Sequence, residues 1–157
     1  MKTTLASLLI IAGTLLIIKS YGVSEEVQEI SSSSVLQSLP FAEVIIAQGL
    51  LESNYFSSAI FKENNNWLGL KCAEFRSTYC TGTNRGHAVF SSTTDCLLDY
   101  IEWQKKYLPR YEKNFGQVDS VDRYIDFLVK YRYAEDPHYG SKLKRLLPLA
   151  RLLLKKN

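Results

Sequence analysis

The residues best suited to acid chemistry lie together in Ala47-Gln48-Gly49-Leu50-Leu51-Glu52-Ser53 and, shortly after, Asn64-Asn65-Asn66-Trp67-Leu68-Gly69-Leu70-Lys71. An apolar helix ending in a carboxylate, followed by an Asn-rich turn and a Trp, builds an acid beside a wall that could bind sugar. Folding alone gives little reason to put Glu52 on the same helix face as Ile45 and Gln48. A Glu near a helix end is ordinarily a solvated charge, so the rest of the chain must make the case for chemistry. Trp67 and Tyr55 offer flat rings with a polar edge that could stack on sugar faces, and for Trp67 a core position competes equally. Asn65 and Asn66 read first as turn-makers and second as partners for acetamido groups.

The elements around these residues follow from periodicity. Ser24 to Ser34 is acidic and Ser-rich with few large apolar residues, and reads as a linker. Ser38 is placed to cap a helix with Pro40 in its first turn, continuing through Phe41, Val44, Ile45 and Leu51. A short helix is expected from Ser57 to Lys62 before the Asn triplet breaks it. Trp67 to Ala73 and Gly86 to Phe90 have strand-like composition, suggesting a small irregular β-hairpin lobe. Thr93 or Thr94 opens a helix through Leu98, Ile101, Trp103 and Tyr107, with Pro109 as its stop. Asp119 or Ser120 caps another, carrying Val121, Tyr124, Ile125, Leu128 and Tyr131. The last helix is expected to begin at Asp136-Pro137 and to kink or end at Pro148. The fold class is therefore mainly α with one small β-rich insertion.

With 157 residues the chain holds one compact domain and little more. Its formal charge is +3, and the first 22 residues contain two lysines and no acid, leaving +1 beyond them. That balance gives no electrostatic argument for nucleic acid. The basic residues of the C-terminal region, Lys142 to Lys156, read as the solvated face of a terminal helix, with weak attraction to an anionic polymer or membrane as the other reading.

Lys2 precedes an apolar run from Leu5 to Ile18, short for a spanning helix and suited to a secretory signal. Ser20-Tyr21-Gly22 offers a cleavage site after Gly22, although Lys19 interrupts the pattern and an uncleaved anchor is the alternative. Either way the bulk of the chain is expected to be exported to the periplasm, cell envelope or exterior. The organisation expected is 1–22 signal peptide or membrane anchor, 23–37 linker and 38–157 catalytic domain. Three cysteines allow at most one internal pair, and an oxidising compartment would permit Cys72 and Cys80 to bridge. Cys96 reads as a buried small hydrophobe. His87 and His138 lack ligand-like spacing to the thiols, so no metal and no cofactor is expected. Neither a phosphate-binding Gly loop nor a Gly-x-Ser-x-Gly elbow is present.

Ala47-Gln48 with Glu52-Ser53, then Ser58, then Asn65-Asn66-Trp67-Leu68-Gly69-Leu70-Lys71, and finally Tyr133-Ala134-Glu135-Asp136-Pro137-His138-Tyr139, resemble the glucosaminidase-domain family of bacterial peptidoglycan hydrolases. That family includes autolysins and the flagellar hydrolase. The three elements occur in the family's order and span about residues 38 to 147. The resemblance implies a lysozyme-like helical fold with a cleft between body and β-lobe, and hydrolysis of the β-1,4 bond after N-acetylglucosamine in peptidoglycan.

By the same resemblance Glu52 matches the catalytic Glu. Burial near Trp67 would disfavour its ionised form and suit it to protonate the glycosidic oxygen. Tyr133 matches a cleft tyrosine whose hydroxyl could bond an acetamido group or a developing charge, its plainer role being core packing. A second carboxylate is harder to find, since no acid lies between Phe75 and Thr94. Glu74 and Asp95 flank that gap. Glu74 otherwise reads as an exposed hairpin charge and Asp95 as a first-turn residue favoured by the helix dipole. A substrate-assisted route would leave Glu52 the sole essential acid with Tyr133 assisting. Phe56 departs from the family's Gly, and Trp67-Leu68 from its Leu-Phe. The alternatives are a lytic transglycosylase, which also needs one Glu, and a catalytically silent glycan-binding or assembly module.

Overall fold

A computed structural model describes residues 25–155, so the expected signal or anchor at 1–22 lies outside the described residues. Among them are seven helices and one two-stranded sheet. The helices are α1 (Glu25–Ser32), α2 (Ser34–Gln37), α3 (Ala42–Glu52), α4 (Ala59–Asn64), α5 (Thr93–Phe115), α6 (Val121–Lys130) and α7 (Tyr139–Leu154). The strands β1 (Gly82–Asn84) and β2 (His87–Val89) sit between α4 and α5. The mainly helical class with a small hairpin lobe is thus as the sequence implies.

Helix α3 is the centre. From Val44 to Leu50 every residue is buried, including Gln48 and Gly49, and a helix apolar on nearly all sides belongs inside a bundle. Its main neighbour is α7, which contributes Tyr139, Leu143, Leu147, Ala150 and Leu153 to the core. Gly49 lets Trp67 close on the helix: a Cβ there would stand 2.6 Å from Trp67 Cε3. Beyond α3 the chain turns through Asn54, Tyr55 and Phe56, all at positive φ. Phe56 holds φ +59 where the related pattern has Gly. The cost of that conformation is offset by burying its ring against Phe61 and Trp67, 5.5 and 6.0 Å between centroids.

Three caps fall near where side-chain chemistry puts them. Ser58, Ser92 and Ser120 accept the N–H of Phe61, Asp95 and Arg123 at the starts of α4, α5 and α6. The hairpin turns at Arg85-Gly86 with φ of +53 and +75, the two-residue geometry that matches strand twist.

Elsewhere tertiary packing overrides local signals. The stretch expected to be a linker forms α1 and α2, because Val27, Ile30 and Leu36 find a core to enter. Ser38 closes α2 instead of opening α3, which starts after Phe41. Pro109 does not stop α5. The backbone bond it removes is outweighed by burial of Tyr111 two residues on, whose hydroxyl donates to Asp126 at 2.5 Å. Pro148 likewise lies within α7, with Ala150 and Leu153 buried past it. Asp136 does not cap α7 at its first residue. Its Oδ1 accepts the His138 N–H at 2.9 Å and its Oδ2 pairs with Lys142 at 2.5 Å, while the helix begins at Tyr139. Trp67 to Ala73 is a loop, and the second strand is supplied by Gly82–Asn84.

Candidate active-site cleft

The loop from Asn66 to Ala73 ties the hairpin to the body and forms one wall of a cleft of about 510 Å³. Asn66 organises it. The buried amide donates to Leu70 O at 2.8 Å and Ala88 O at 2.9 Å, and its Oδ1 accepts Leu70 N–H at 3.0 Å. Asn65 donates to Phe90 O at 2.9 Å from a left-handed position ending α4. The Asn66 amide is therefore occupied in shaping the lobe, and Asn65, half-buried, spends one donor on it. Trp67 is fully enclosed, its indole N–H donating to Thr93 O at 2.9 Å, so it has no face for a substrate. Tyr55 is exposed on the turn after α3, outside the cleft lining.

Glu52 enters the cleft from the end of α3. Burial pushes its carboxyl above the ordinary value, only partly countered by the nearby Tyr139 hydroxyl. Gly69 stands directly opposite. Its φ is +67, and a Cβ there would lie 3.0 Å from Glu52 Oε2. Only glycine combines that backbone with that clearance.

Tyr133 lines the same cleft from the loop before α7. Its hydroxyl donates to Leu68 O at 2.7 Å, and its ring meets Trp103 edge-on at 5.1 Å and stacks on Tyr139 at 6.1 Å. Burial, with Tyr139 and Glu52 nearby, pushes the phenol well above its ordinary value, so it stays neutral. With its proton committed to Leu68, its oxygen keeps acceptor capacity.

The two expected second carboxylates are not brought here. Glu74 is exposed and outside the cleft lining, and Asp95 sits in the first turn of α5 at the Ser92 cap. The cleft carries Glu135 instead, the variable residue of Tyr133-Ala134-Glu135-Asp136-Pro137. Its position in that motif was the only available signal for it. Lys71 and Arg132 add positive charge to the lining, as does Arg76.

Arg76 is held by a group that the sequence reading missed. Asp99 is fully buried and takes Arg76 in a two-pronged pair at 2.6 and 3.0 Å, with Thr78 Oγ1 at 2.6 Å and the Tyr79 N–H at 2.8 Å. Burial pushes the Asp99 carboxyl up, but these bonds and the Arg76 charge together hold it below the usual range. The loop so clamped is also closed by the Cys72–Cys80 disulfide, with Cα atoms 5.5 Å apart. Cys96 is buried and unpaired, as its amphipathic setting implies. Among the described residues no group of three or more His, Cys, Asp or Glu is arranged to hold a metal.

A mainly helical body and a small hairpin lobe thus border a cleft that holds one part-buried acid. The chain belongs to the glucosaminidase family: residues 36–152 match the family model described as mannosyl-glycoprotein endo-beta-N-acetylglucosaminidase. It is also similar to an N-acetylmuramoyl-L-alanine amidase domain-containing protein of Staphylococcus aureus, 31% identical over 127 residues. That alignment covers 68% of this chain and 20% of the relative, so the chain spans about a fifth of the relative's length. No solved structure matches the chain significantly.

Proposed function

We propose that this domain hydrolyses the β-1,4 bond after N-acetylglucosamine in peptidoglycan glycan strands, with Glu52 as general acid. One observation carries the reading. At the end of α3 a carboxyl is held part-buried in an open cleft, facing a glycine that leaves its oxygen uncovered, and burial favours its protonated form. A general acid needs that combination near neutral pH.

In the first step Glu52 gives its proton to the glycosidic oxygen and the C1–O bond breaks through an oxocarbenium-like state. The substrate's acetamido oxygen closes on C1, which needs no second protein carboxylate. Water then attacks C1, giving its proton to the Glu52 carboxylate and restoring the acid. Tyr133, with a free acceptor lone pair, would hold the acetamido N–H and orient the attacking oxygen. Lys71 and Arg132 suit the acidic groups of the muramic acid residues and peptide stems. An oxidising, extracytoplasmic setting agrees with the Cys72–Cys80 bridge. Among the described residues no helix is long and apolar enough to cross a membrane, so attachment would rest on residues 1–22.

Digestion of purified sacculi by wild type and Glu52→Gln tests this. The expected outcome is reducing N-acetylglucosamine ends from wild type and a loss of roughly 10²–10⁴-fold in the variant. Undiminished clearing by Glu52→Gln would refute the acid assignment. A cleft with one well-placed acid also suits a lytic transglycosylase, and 1,6-anhydromuramic ends in the digest would identify that reaction instead. Binding to sacculi without cleavage would mark a silent glycan-binding module.

A further inference from the structure

Trp67 is enclosed and can offer no face to a sugar, but two other rings line the cleft. Trp103 and Tyr107 stand about one helical turn apart on α5, in the same cleft as Glu52. Their centroids lie 5.3 Å apart with planes at 46°, so together they make one angled wall. Trp103 is fixed from within the body. It stacks on Tyr100 at 5.7 Å, meets Phe127 at 5.2 Å and meets Tyr133 edge-on at 5.1 Å. Both rings are only half-buried, which leaves part of each to the cleft.

The polar ends of these two rings are unspent. Trp67 gives its indole N–H to Thr93 O, and the hydroxyls of Tyr100, Tyr111 and Tyr124 are bonded to other side chains. Among the described residues the Trp103 N–H and the Tyr107 hydroxyl have no protein partner. Neither is an enclosed atom left unpaired, a state found there only for His87 Nδ1, so both reach solvent. A ring whose inner face is packed and whose donor is free is suited to a pyranose. The sugar's C–H face lies on the ring while one of its oxygens accepts the N–H. A ring needed for the core alone would be served by phenylalanine, which has no polar atom to satisfy.

The same helix also holds the loop that shares this cleft. Asp99, Trp103, Lys106 and Tyr107 recur at helical spacing along α5. Asp99 grips Arg76, and Lys106 Nζ donates to Phe75 O at 2.9 Å. Cys72, Ala73 and Arg76 of that loop line the cleft with the two rings, and the Cys72–Cys80 bridge closes the loop on itself. One face of α5 therefore carries the rings and sets where the neighbouring wall stands.

We infer that Trp103 and Tyr107 form a subsite for a second N-acetylhexosamine of the glycan strand, beside the unit whose bond Glu52 cleaves. The Trp103 N–H donates to an oxygen of that sugar, and the Tyr107 ring and hydroxyl carry its far side. Tyr133, edge-on to Trp103 and lining the same cleft, joins this subsite to the Glu52 end. The inference rests on the glycan-hydrolase reading proposed above.

The test is ¹H–¹⁵N NMR of Glu52→Gln titrated with the stem-free tetrasaccharide of alternating N-acetylglucosamine and N-acetylmuramic acid. The chain has two tryptophans, so two indole N–H signals are read, and Trp103→Phe in the same background assigns them. The Trp103 signal is expected to shift as the sugar binds, while the Trp67 signal stays. Trp103→Phe keeps a ring against Tyr100 and Phe127, and should weaken tetrasaccharide binding about tenfold, as should Tyr107→Ala. In the active protein Trp103→Phe should raise KM with kcat little changed. An unmoved Trp103 signal overturns the inference, as does an absence of binding, or affinity within about twofold of the parent in both variants. Should Trp103→Phe fail to fold, faster solvent exchange of the Trp103 N–H assigns the signals instead. Clearing of sacculi by wild type with an unmoved Trp103 signal strikes the subsite alone. Clearing by Glu52→Gln strikes the acid assignment, and the indole titration still decides the subsite.

Discussion

Replacing Asp99 by alanine isolates what holds the cleft loop. The carboxylate is 0% exposed and Arg76 9% exposed, joined by two hydrogen bonds. Removing one partner of such a buried pair typically costs about 3–5 kcal/mol, chiefly because the remaining charge loses its compensation. Thr78 and the Tyr79 N–H lose their acceptor as well. At about 2–4 °C per kcal/mol for a chain of this size, Tm at neutral pH should fall by roughly 6–20 °C. The Arg76→Ala, Asp99→Ala double variant should be less destabilised than the sum of the singles, since no orphaned charge remains.

The pH dependence has a definite sign. Asp99 is held below its ordinary value of 3.8, so its stabilisation is complete above that value and is lost as pH falls through the lower folded value. The gap between wild type and Asp99→Ala should therefore stay constant from neutral pH down to about 4 and shrink below it. Calorimetric or circular-dichroism melts across pH measure all three quantities. A fall in Tm under about 2 °C, or strict additivity in the double variant, would refute the clamp as described.

Gly69→Ala should lower kcat at least about tenfold while costing only about 1–2 kcal/mol in stability, because the new Cβ meets Glu52 Oε2 and the backbone is left-handed. Wild-type turnover in that variant would show that the oxygen needs no clearance. Glu52→Gln should melt higher than wild type at neutral pH. The folded chain binds the Glu52 proton above the ordinary value of 4.5, where the unfolded chain has released it, so wild-type stability falls as pH rises through that window. The difference between the two melts should vanish below about pH 4, and a pH-independent difference would contradict the assignment.

What was legible in the sequence was whatever depends on near neighbours. Ser120 announces its helix because a cap bonds a backbone three residues away, and the short helix expected from Ser57 starts one residue on, with Ser58 as its cap. The hairpin lobe is legible in the composition of Gly86 to Phe90, although its turn at Arg85-Gly86 and its partner strand Gly82–Asn84 are not. The order of the motifs placed Glu52, Asn66 and Tyr133 around one region, as the structure has them. What escaped depends on partners far along the chain. Asp99 looks like any helix carboxylate until Arg76 and Thr78 fold back on it, 23 and 21 residues away. Val27 and Ile30 look too sparse for a core until the bundle receives them. Trp67 has the composition of a sugar platform, and only the missing side chain of Gly49 shows that α3 was shaped to enclose it.

The Asn64-Asn65-Asn66 run shows how the scaffold and the acid are coupled. Asn64 is buried and accepts from Asn84, Asn65 grips Phe90, and Asn66 grips Leu70 and Ala88, so the three amides bind both strands' flanks to one loop. That loop carries Leu68, whose carbonyl fixes the Tyr133 hydroxyl, and Gly69, which faces Glu52. A displacement of the hairpin would therefore be felt at both the acid and the tyrosine through that loop. Rigid support of this kind is what a site needs when its own residues are few. It also explains why two residues of a run with the composition of a flexible turn are among the more deeply committed side chains of the lobe: Asn64 is 0% and Asn66 is 1% exposed.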